Sequence, residues 1–98
     1  MEKKYTLAKG FYVHYKHNHT LDHFNYVYQV LGTALHTETG AVTVIYRPLY
    51  ASDYIKGNDF YSRPLEMFLE QAKTDSGFIQ RFTKIEDPAW IEELQKVL

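Results

Sequence analysis

The sequence contains no cysteine, and this absence excludes a disulfide framework, a thiol nucleophile and a thiolate metal site. No apolar run approaches the roughly 20 residues that a membrane helix requires. Residues 1–4 are mostly charged and no apolar stretch follows them, so we expect no signal peptide. Together these absences favour a cytoplasmic protein that does not enter a membrane.

An excess of charge of one sign is also lacking, because the formal net charge is −1 and lysine and arginine are spread along the chain. A sequence-independent nucleic-acid binder usually concentrates basic residues on one face, so this balance lowers the expectation of such a partner. No phosphate-cradling glycine loop or Ser–His–Asp order is present, and we expect no cofactor. With 98 residues, 45% of them hydrophobic, we expect a single domain over residues 1–98.

Short runs that alternate at period two predict about five β-strands with turns between them. The clearest are residues 26–37 and 41–46, which flank a turn that ends at Gly40 and therefore predict an antiparallel hairpin. Gly32 is predicted to mark a bulge within the first of these strands. A further continuous strand is predicted over residues 78–85. This pattern is typical of a small barrel or sandwich, and periodicity alone does not separate an SH3-like from an OB-like barrel.

Two helical segments are predicted after the hairpin. Pro64 suits the first position of a short helical turn. Asp87 and Pro88 supply an N-cap and a first helical residue for a C-terminal helix over residues 87–98. Its apolar stripe is expected to pack against the strands; this stripe includes Trp90, Ile91 and Leu94.

Six segments between residues 10 and 85 carry a family resemblance. They are Gly-Phe-Tyr-Val-His-Tyr-Lys (10–16), Tyr-Gln-Val-Leu-Gly (28–32), His-Thr-Glu-Thr-Gly (36–40), Val-Ile-Tyr-Arg-Pro-Leu-Tyr (44–50), Arg-Pro-Leu-Glu-Met-Phe-Leu-Glu (63–70) and Arg-Phe (81–82). In order and spacing the chain resembles DUF1653, a bacterial domain of unknown function. The resemblance implies an SH3-type barrel and no known activity. We therefore expect a mainly β fold, a small SH3-like barrel of about five strands over residues 10–85, with the C-terminal helix beyond it.

The three arginines, Arg47, Arg63 and Arg81, each lie beside an aromatic residue or a proline. A guanidinium fork can grip a carboxylate or a phosphate in bidentate fashion, so arginines brought together by the fold would form an anion site. The alternative is that each pairs with a nearby carboxylate and ties the turns together. We expect Arg47, Arg63 and Glu66 to lie near one another in this ion-paired form, with the anion site as the second interpretation.

Histidines are dense between positions 14 and 23, where an aspartate accompanies them. The set is His14, His17, His19, His23 and Asp22. Imidazoles at this density could ligate zinc or nickel. A structural zinc site usually draws on two separated ligand pairs, and none is evident here. We therefore expect a solvated loop and no metal.

His36 and Glu38 are two residues apart and would share one face of a strand. As a general acid–base pair they would need a pocket and a third orienting group. The alternative is an ordinary hairpin turn that ends at Gly40.

The chain is rich in tyrosine, whose ring either fills a core or stacks on a ligand while the hydroxyl stays wet. The tyrosines that could play either role are Tyr12, Tyr15, Tyr26, Tyr28, Tyr46, Tyr50, Tyr54 and Tyr61. Tyr46 and Tyr61 adjoin the arginine segments and are the ones we expect at a binding face.

A non-enzymatic binding module is the function that these features favour. Its predicted binding residues are Arg47, Arg63, Arg81, His36, Glu38, Glu66, Tyr46 and Tyr61. One alternative is a small enzyme or metal-dependent protein built on histidine and glutamate, and another is a protein–protein interaction domain. An anionic small molecule, a nucleic acid or a protein are all possible partners, and we expect a monomer or a weak homo-oligomer.

Overall fold

The structure, a computed structural model, describes residues 7–18, 20, 24–50 and 60–98. Its elements are β1 (Gly10–His14), β2 (Val27–Leu35), β3 (Val42–Pro48), β4 (Tyr61–Pro64), α1 (Leu65–Phe68), β5 (Gln71–Thr74), β6 (Gly77–Gln80), β7 (Phe82–Lys84) and α2 (Pro88–Gln95). The prediction of a mainly β fold is confirmed. Within the described part of the chain, neither helix has the length and apolar character needed to cross a membrane.

Five strands form one antiparallel sheet in the order β4-β3-β2-β1-β7, and β5 and β6 form a separate two-stranded sheet. The predicted hairpin is confirmed as the β2–β3 pair. Its turn is closed by the His36 amide, which donates to the Ala41 carbonyl at 2.7 Å, and by the Gly40 amide, which donates to the His36 carbonyl at 2.7 Å. Gly40 has a φ of +76°, a conformation that glycine adopts without a Cβ clash.

The predicted bulge is also confirmed, because the β2–β3 register shifts between Val30 and Gly32. Gly32 has a φ of +154°, which a residue with a Cβ rarely adopts. A bulge bends its strand and increases the local twist. The sheet therefore curls at this point instead of remaining flat.

The SH3-like barrel is not confirmed. Among the described residues no backbone pairing joins the edge strands β4 and β7, so the five-stranded sheet does not close through hydrogen bonds. The curl nevertheless brings these edges near each other, because the guanidinium carbon of Arg63 in β4 lies 5.3 Å from the ring centre of Phe82 in β7.

The single strand predicted over residues 78–85 is wrong, because the chain changes sheets at Arg81 between β6 and β7. The Arg81 amide donates to the Glu70 carbonyl at 3.2 Å, and the Arg81 carbonyl accepts from the Tyr15 amide at 3.0 Å. Its two backbone groups thus bond to different segments, one just before β5 and the other just after β1. This junction fixes the Arg81 backbone beside the end of β1.

Helix α2 covers one face of the five-stranded sheet. Leu94 is fully buried there with Phe11, Val27 and Ile85, and Trp90 and Ile91 pack against the same cluster. The predicted packing of the helix stripe is therefore confirmed. The predicted N-cap is confirmed too, since the Asp87 carboxylate accepts from the Ala89 amide at 3.1 Å and Pro88 opens the helix.

The opposite face of the sheet is largely aromatic. Tyr12, Phe68 and Phe82 are buried there with aliphatic residues of β2, β3 and α1. The only helix that the described residues place on this face is α1, which is four residues long. Pro64 stands at the N-cap of α1 and ends β4, whereas the sequence predicted it as the first helical residue. This partly covered face positions the candidate site.

Candidate functional site

Side-chain alternation and register place the aromatic and basic residues of several strands on one face of the sheet. Tyr12 lies opposite Tyr28, and Tyr46 lies opposite Tyr61. Because alternate residues of a strand share a face, Arg63 lies on the same side as Tyr61. We call this surface the aromatic–arginine face. Register places His14, Tyr28, Tyr46, Tyr61, Arg63 and Phe82 on it. The rings of Tyr15, Tyr26 and Tyr50 adjoin it through ring contacts, and the charge of Arg81 acts on His14 there.

Closely packed rings form the floor of this face. Phe82 stacks on Phe68, with ring centres 4.2 Å apart and an interplanar angle of 4°. Tyr28 meets Phe82 edge-on at 5.5 Å and Tyr46 edge-on at 5.5 Å. These are the offset and edge-to-face arrangements that aromatic quadrupoles favour. The floor is thus a closely packed support for the groups around it.

A row of tilted rings borders the floor, and we call it the aromatic rim. Along the rim the ring centres of Tyr15 and His14 are 4.6 Å apart, those of His14 and Tyr26 are 5.4 Å apart, and those of Tyr26 and Tyr50 are 5.5 Å apart. Each pair is tilted by 31°. Tyr26 is 36% exposed, so the rim is open to solvent at this residue.

The Arg81 side chain contains a buried nitrogen that forms no hydrogen bond with any described residue. Its Nε is the one buried side-chain nitrogen or oxygen in the described part of the chain without a hydrogen bond. Buried polar groups are nearly always satisfied, and an unmade bond costs the group its hydration without compensation. The Arg81 Nε–H is therefore a buried donor with no acceptor among the described residues.

Arg63 is the second cation of the face. Its guanidinium lies over the Phe82 ring at 5.3 Å, within the range of a cation–π interaction. Among the described residues no carboxylate lies within ion-pair distance of Arg63 or Arg81, and the ion pair that does form joins Lys96 to Glu93 on α2. The positive charge of the face is thus not neutralised by these residues.

His14 lies within the electrostatic influence of these cations and is uncharged at neutral pH. Burial, followed by the charges of Lys16, Arg81 and Arg63, lowers the pKa of His14 from 6.5 to about 4. The Lys16 amide donates to His14 Nδ1 at 3.1 Å. Because Nδ1 accepts, the proton of the neutral ring resides on Nε2. The imidazole therefore offers one N–H donor.

Two tyrosine hydroxyls of the face are also held in the neutral form. The Tyr28 and Tyr50 hydroxyl oxygens lie 2.6 Å apart and share a hydrogen bond. Burial, and then this hydrogen bond, raises the pKa of Tyr28. Burial is also the main cause that raises the pKa of Tyr50. Both phenols thus remain protonated at neutral pH, and the pair has one hydroxyl proton left to donate.

The structure does not bring Arg47, Arg63 and Glu66 together. Arg63 lies opposite Val44 of β3, and Arg47 is three residues further along that strand, on the other side of the sheet. There Arg47 Nε donates to Gln29 Oε1 at 2.7 Å. Among the described residues no hydrogen bond or ion pair joins Glu66 to an arginine. The strand register therefore places Arg47 and Arg63 on opposite sides of the sheet.

His36 and Glu38 lie at the exposed end of the β2–β3 hairpin, where His36 takes part in the turn through its backbone. In the described part of the chain, no hydrogen bond links their two side chains to each other or to a third orienting group. They are thus placed as turn residues and not on the aromatic–arginine face.

The histidines predicted as metal ligands do not lie together where the structure describes them. His17 Nδ1 donates to the Asn25 carbonyl at 2.6 Å, and the His17 ring lies 5.2 Å from Trp90. His14 lies on the aromatic–arginine face. Within residues 7–18, 20, 24–50 and 60–98, no three potential ligands group for a metal. The other predicted residues, His19, Asp22, His23 and Tyr54, lie outside the described residues.

Sequence reasoning missed Phe82 and Lys16 and assigned His14 to a metal loop. Strand parity is the signal that would have corrected part of this interpretation. Arg63 has the parity of Tyr61, whereas Arg47 lies one residue out of step with Tyr46. No local sequence pattern predicted that Phe82 belongs to the site, because its position depends on the change of sheet at Arg81.

Comparison with known proteins agrees with the family resemblance. The chain matches the family described as "Protein of unknown function (DUF1653)" over residues 10–84. A crystal structure of a DUF1653 protein from Bordetella bronchiseptica is similar, with 32% sequence identity, a TM-score of 0.63, and coverage of 81% of this chain and 87% of that chain. No curated protein matches. This chain therefore belongs to the DUF1653 family.

Proposed function

We propose that the chain is a non-enzymatic binding module that holds an anionic ligand on its aromatic–arginine face. The observation that carries the proposal is the buried Arg81 Nε, which has no hydrogen-bond acceptor among the described residues. A carboxylate or phosphate oxygen would satisfy this donor and the charge of the guanidinium in one contact. Arginine is the side chain best suited to such a contact because its fork presents parallel N–H groups.

The charge of the face supports an anion over a neutral ligand. Arg63 and Arg81 carry full positive charges, and Lys16 adds a third that acts on His14. Neutral His14 offers its Nε2–H as a further donor, and the Tyr28–Tyr50 hydroxyl pair offers another. A set of donors with uncompensated positive charge matches the acceptor-only chemistry of an anion.

The same groups are poorly suited to acid–base catalysis. His14, with a pKa of about 4, is a weak proton acceptor at neutral pH, and an efficient general base titrates near the working pH. The phenols of Tyr28 and Tyr50 have raised pKa values, so they do not ionise there. This supports binding without chemistry.

We also propose that the curled sheet is a partly open form of the SH3-type barrel that the family resemblance implies. The approach of Arg63 on β4 to Phe82 on β7 supports this, because these edge strands would have to meet to close a barrel. The side chains of the proposed site would then span the opening between the two edges.

The proposal is tested by titrating inorganic phosphate into ¹⁵N-labelled protein and following the arginine Nε–Hε signals by NMR. We expect the Arg81 signal to shift in a saturable manner, with a parallel rise in melting temperature, because a ligand of the folded state stabilises it. Arg81→Met should abolish both effects. The matched control is Arg47→Met, which alters the other face and should bind as the parent does. Equal binding by the parent and Arg81→Met would contradict the proposal.

A further inference from the structure

We infer that the anion is the phosphate of a nucleotide monomer, with its base stacked on the aromatic rim and its phosphate held by Arg63 and Arg81. This inference rests on the proposed anion site and specifies its ligand. It joins two features that meet at His14, the row of rings that includes His14 and the arginines Arg63 and Arg81, whose charges both act on His14.

The aromatic rim is suited to a flat, apolar ligand whose ring presents a π-face on each side. Rings of Tyr15, His14, Tyr26 and Tyr50 follow one another at 4.6, 5.4 and 5.5 Å with the same 31° tilt. Aromatic side chains bind bases by stacking, since every base presents a π-face. Because Tyr26 is 36% exposed, a base could lie against the solvent side of the row at this residue.

The backbone of Tyr26 adds an independent observation. Its φ is +56°, and it is the one non-glycine residue in the described part of the chain with a positive φ. Bulky side chains rarely adopt this left-handed conformation, whereas asparagine and glycine do so readily. The Tyr26 carbonyl accepts from the His14 amide at 2.9 Å. A tyrosine in this uncommon conformation indicates a functional role for its ring, which we assign to stacking.

The charge count favours a phosphate monoester over a carboxylate. A phosphate monoester carries a charge of about −1.5 to −2 at neutral pH. Arg63 and Arg81 together carry +2, and the Lys16 charge also acts on this region. A single carboxylate would leave at least one of these guanidinium groups uncompensated.

The charge of the whole chain favours a monomer over a nucleic-acid strand. Binding of a strand without sequence preference depends on a basic groove that tracks the backbone and releases counterions. The net charge here is −1, so attraction for a long polyanion is weak. A single phosphate next to a single base needs only the local cations of the face.

The test compares four probes by isothermal titration calorimetry: adenosine 5′-monophosphate, ribose 5-phosphate, inorganic phosphate and adenosine. We expect the nucleotide to bind at least tenfold more tightly than ribose 5-phosphate, because only the nucleotide can stack. Tyr26→Asn, which suits the left-handed backbone, should remove most of that advantage and leave ribose 5-phosphate binding unchanged. The matched control is Phe78→Asn, since Phe78 is 70% exposed and lies on the separate β5–β6 sheet.

The outcomes separate this inference from the proposed function. If ribose 5-phosphate and phosphate bind as tightly as the nucleotide, the stacked base is refuted and the anion site stands. If adenosine alone binds as tightly as the nucleotide, or no probe binds, the anion site itself fails. A short single-stranded oligonucleotide that binds more tightly than the nucleotide at physiological salt would overturn the preference for a monomer.

Discussion

The two faces of the five-stranded sheet use the same strands for different purposes. One face is covered by α2 and closes over Phe11, Val27, Ile85 and Leu94, all of them buried and apolar. The other is covered by α1, which is only four residues long, so hydroxyl and guanidinium groups reach its border. The length of the covering helix thus distinguishes the sealed face from the face that polar groups border.

The residue types on the two faces follow from this difference. Aliphatic side chains fill a sealed core because they have no polar atoms to satisfy. Tyrosine, histidine and arginine pair an apolar body with a polar end, so they suit a border between core and solvent. Burial on the aromatic–arginine face therefore stabilises the fold and also shifts the pKa values of its ionisable groups.

The largest expected effect is on the sealed face. Leu94 is 0% exposed, and Leu94→Ala removes buried methyl groups and leaves a cavity, at a cost of about 3 kcal/mol in the free energy of unfolding. Urea denaturation measures it. Leu98→Ala is the control, because Leu98 is 52% exposed and should cost less than about 0.5 kcal/mol. Similar losses in both variants would mean that α2 does not seal this face.

A smaller effect is expected from pH on the aromatic–arginine face. The folded state holds His14 at a pKa of about 4, below the 6.5 of an ordinary histidine. Between these values the unfolded chain binds more protons, so stability is complete above pH 6.5 and is lost as the pH falls towards 4. After a discount for the solvent that reaches this half-buried ring, we expect a loss of about 1 kcal/mol between pH 7 and pH 5.

Thermal unfolding of the parent and of two glutamine variants over this range checks the assignment to His14. His14→Gln should flatten the profile, since the residue responsible is gone. His36→Gln, at the exposed hairpin turn, should leave the profile as it is in the parent. A profile that His14→Gln does not change would assign the pH dependence to another group.

Features set by neighbouring residues could be predicted from the sequence. The hairpin, the bulge at Gly32 and the Asp87 cap each depend on a few adjacent positions, and all three were found in the structure. The helix stripe was predictable for the same reason. The break at Arg81 was not, because the bonds that cause it come from Glu70 and Tyr15, which are distant in sequence.

The candidate site was predictable only in part. The residue types were evident, since the arginines lie beside aromatic residues or prolines, and the register places Arg63, Tyr46 and Tyr61 on one face. Arg47 was predicted with them because of its neighbours in sequence, although strand parity places it on the other side of the sheet. The unsatisfied Arg81 Nε had no sequence signal, because burial and hydrogen bonding of one atom depend on the packing of several elements.

The smallest expected effect is a difference in unfolding free energy between two substitutions, Arg47→Met and Arg81→Met. Arg47 Nε donates to Gln29 Oε1 at 2.7 Å, so Arg47→Met removes a formed hydrogen bond and should cost roughly 0.5–1 kcal/mol of unfolding free energy. Arg81→Met removes a guanidinium whose buried Nε has no partner in the described part of the chain, and it retains an apolar stem. In phosphate-free buffer it should therefore change stability by less than about 0.5 kcal/mol or raise it slightly, because replacing a poorly compensated charge by an apolar group is often neutral or favourable.

With phosphate present the order of the two variants should reverse, since the parent and Arg47→Met gain stability from binding and Arg81→Met does not. Urea denaturation of the three proteins with and without phosphate measures both orders, and a loss from Arg81→Met in phosphate-free buffer as large as that from Arg47→Met would show that Arg81 is a structural residue and not a ligand-binding one.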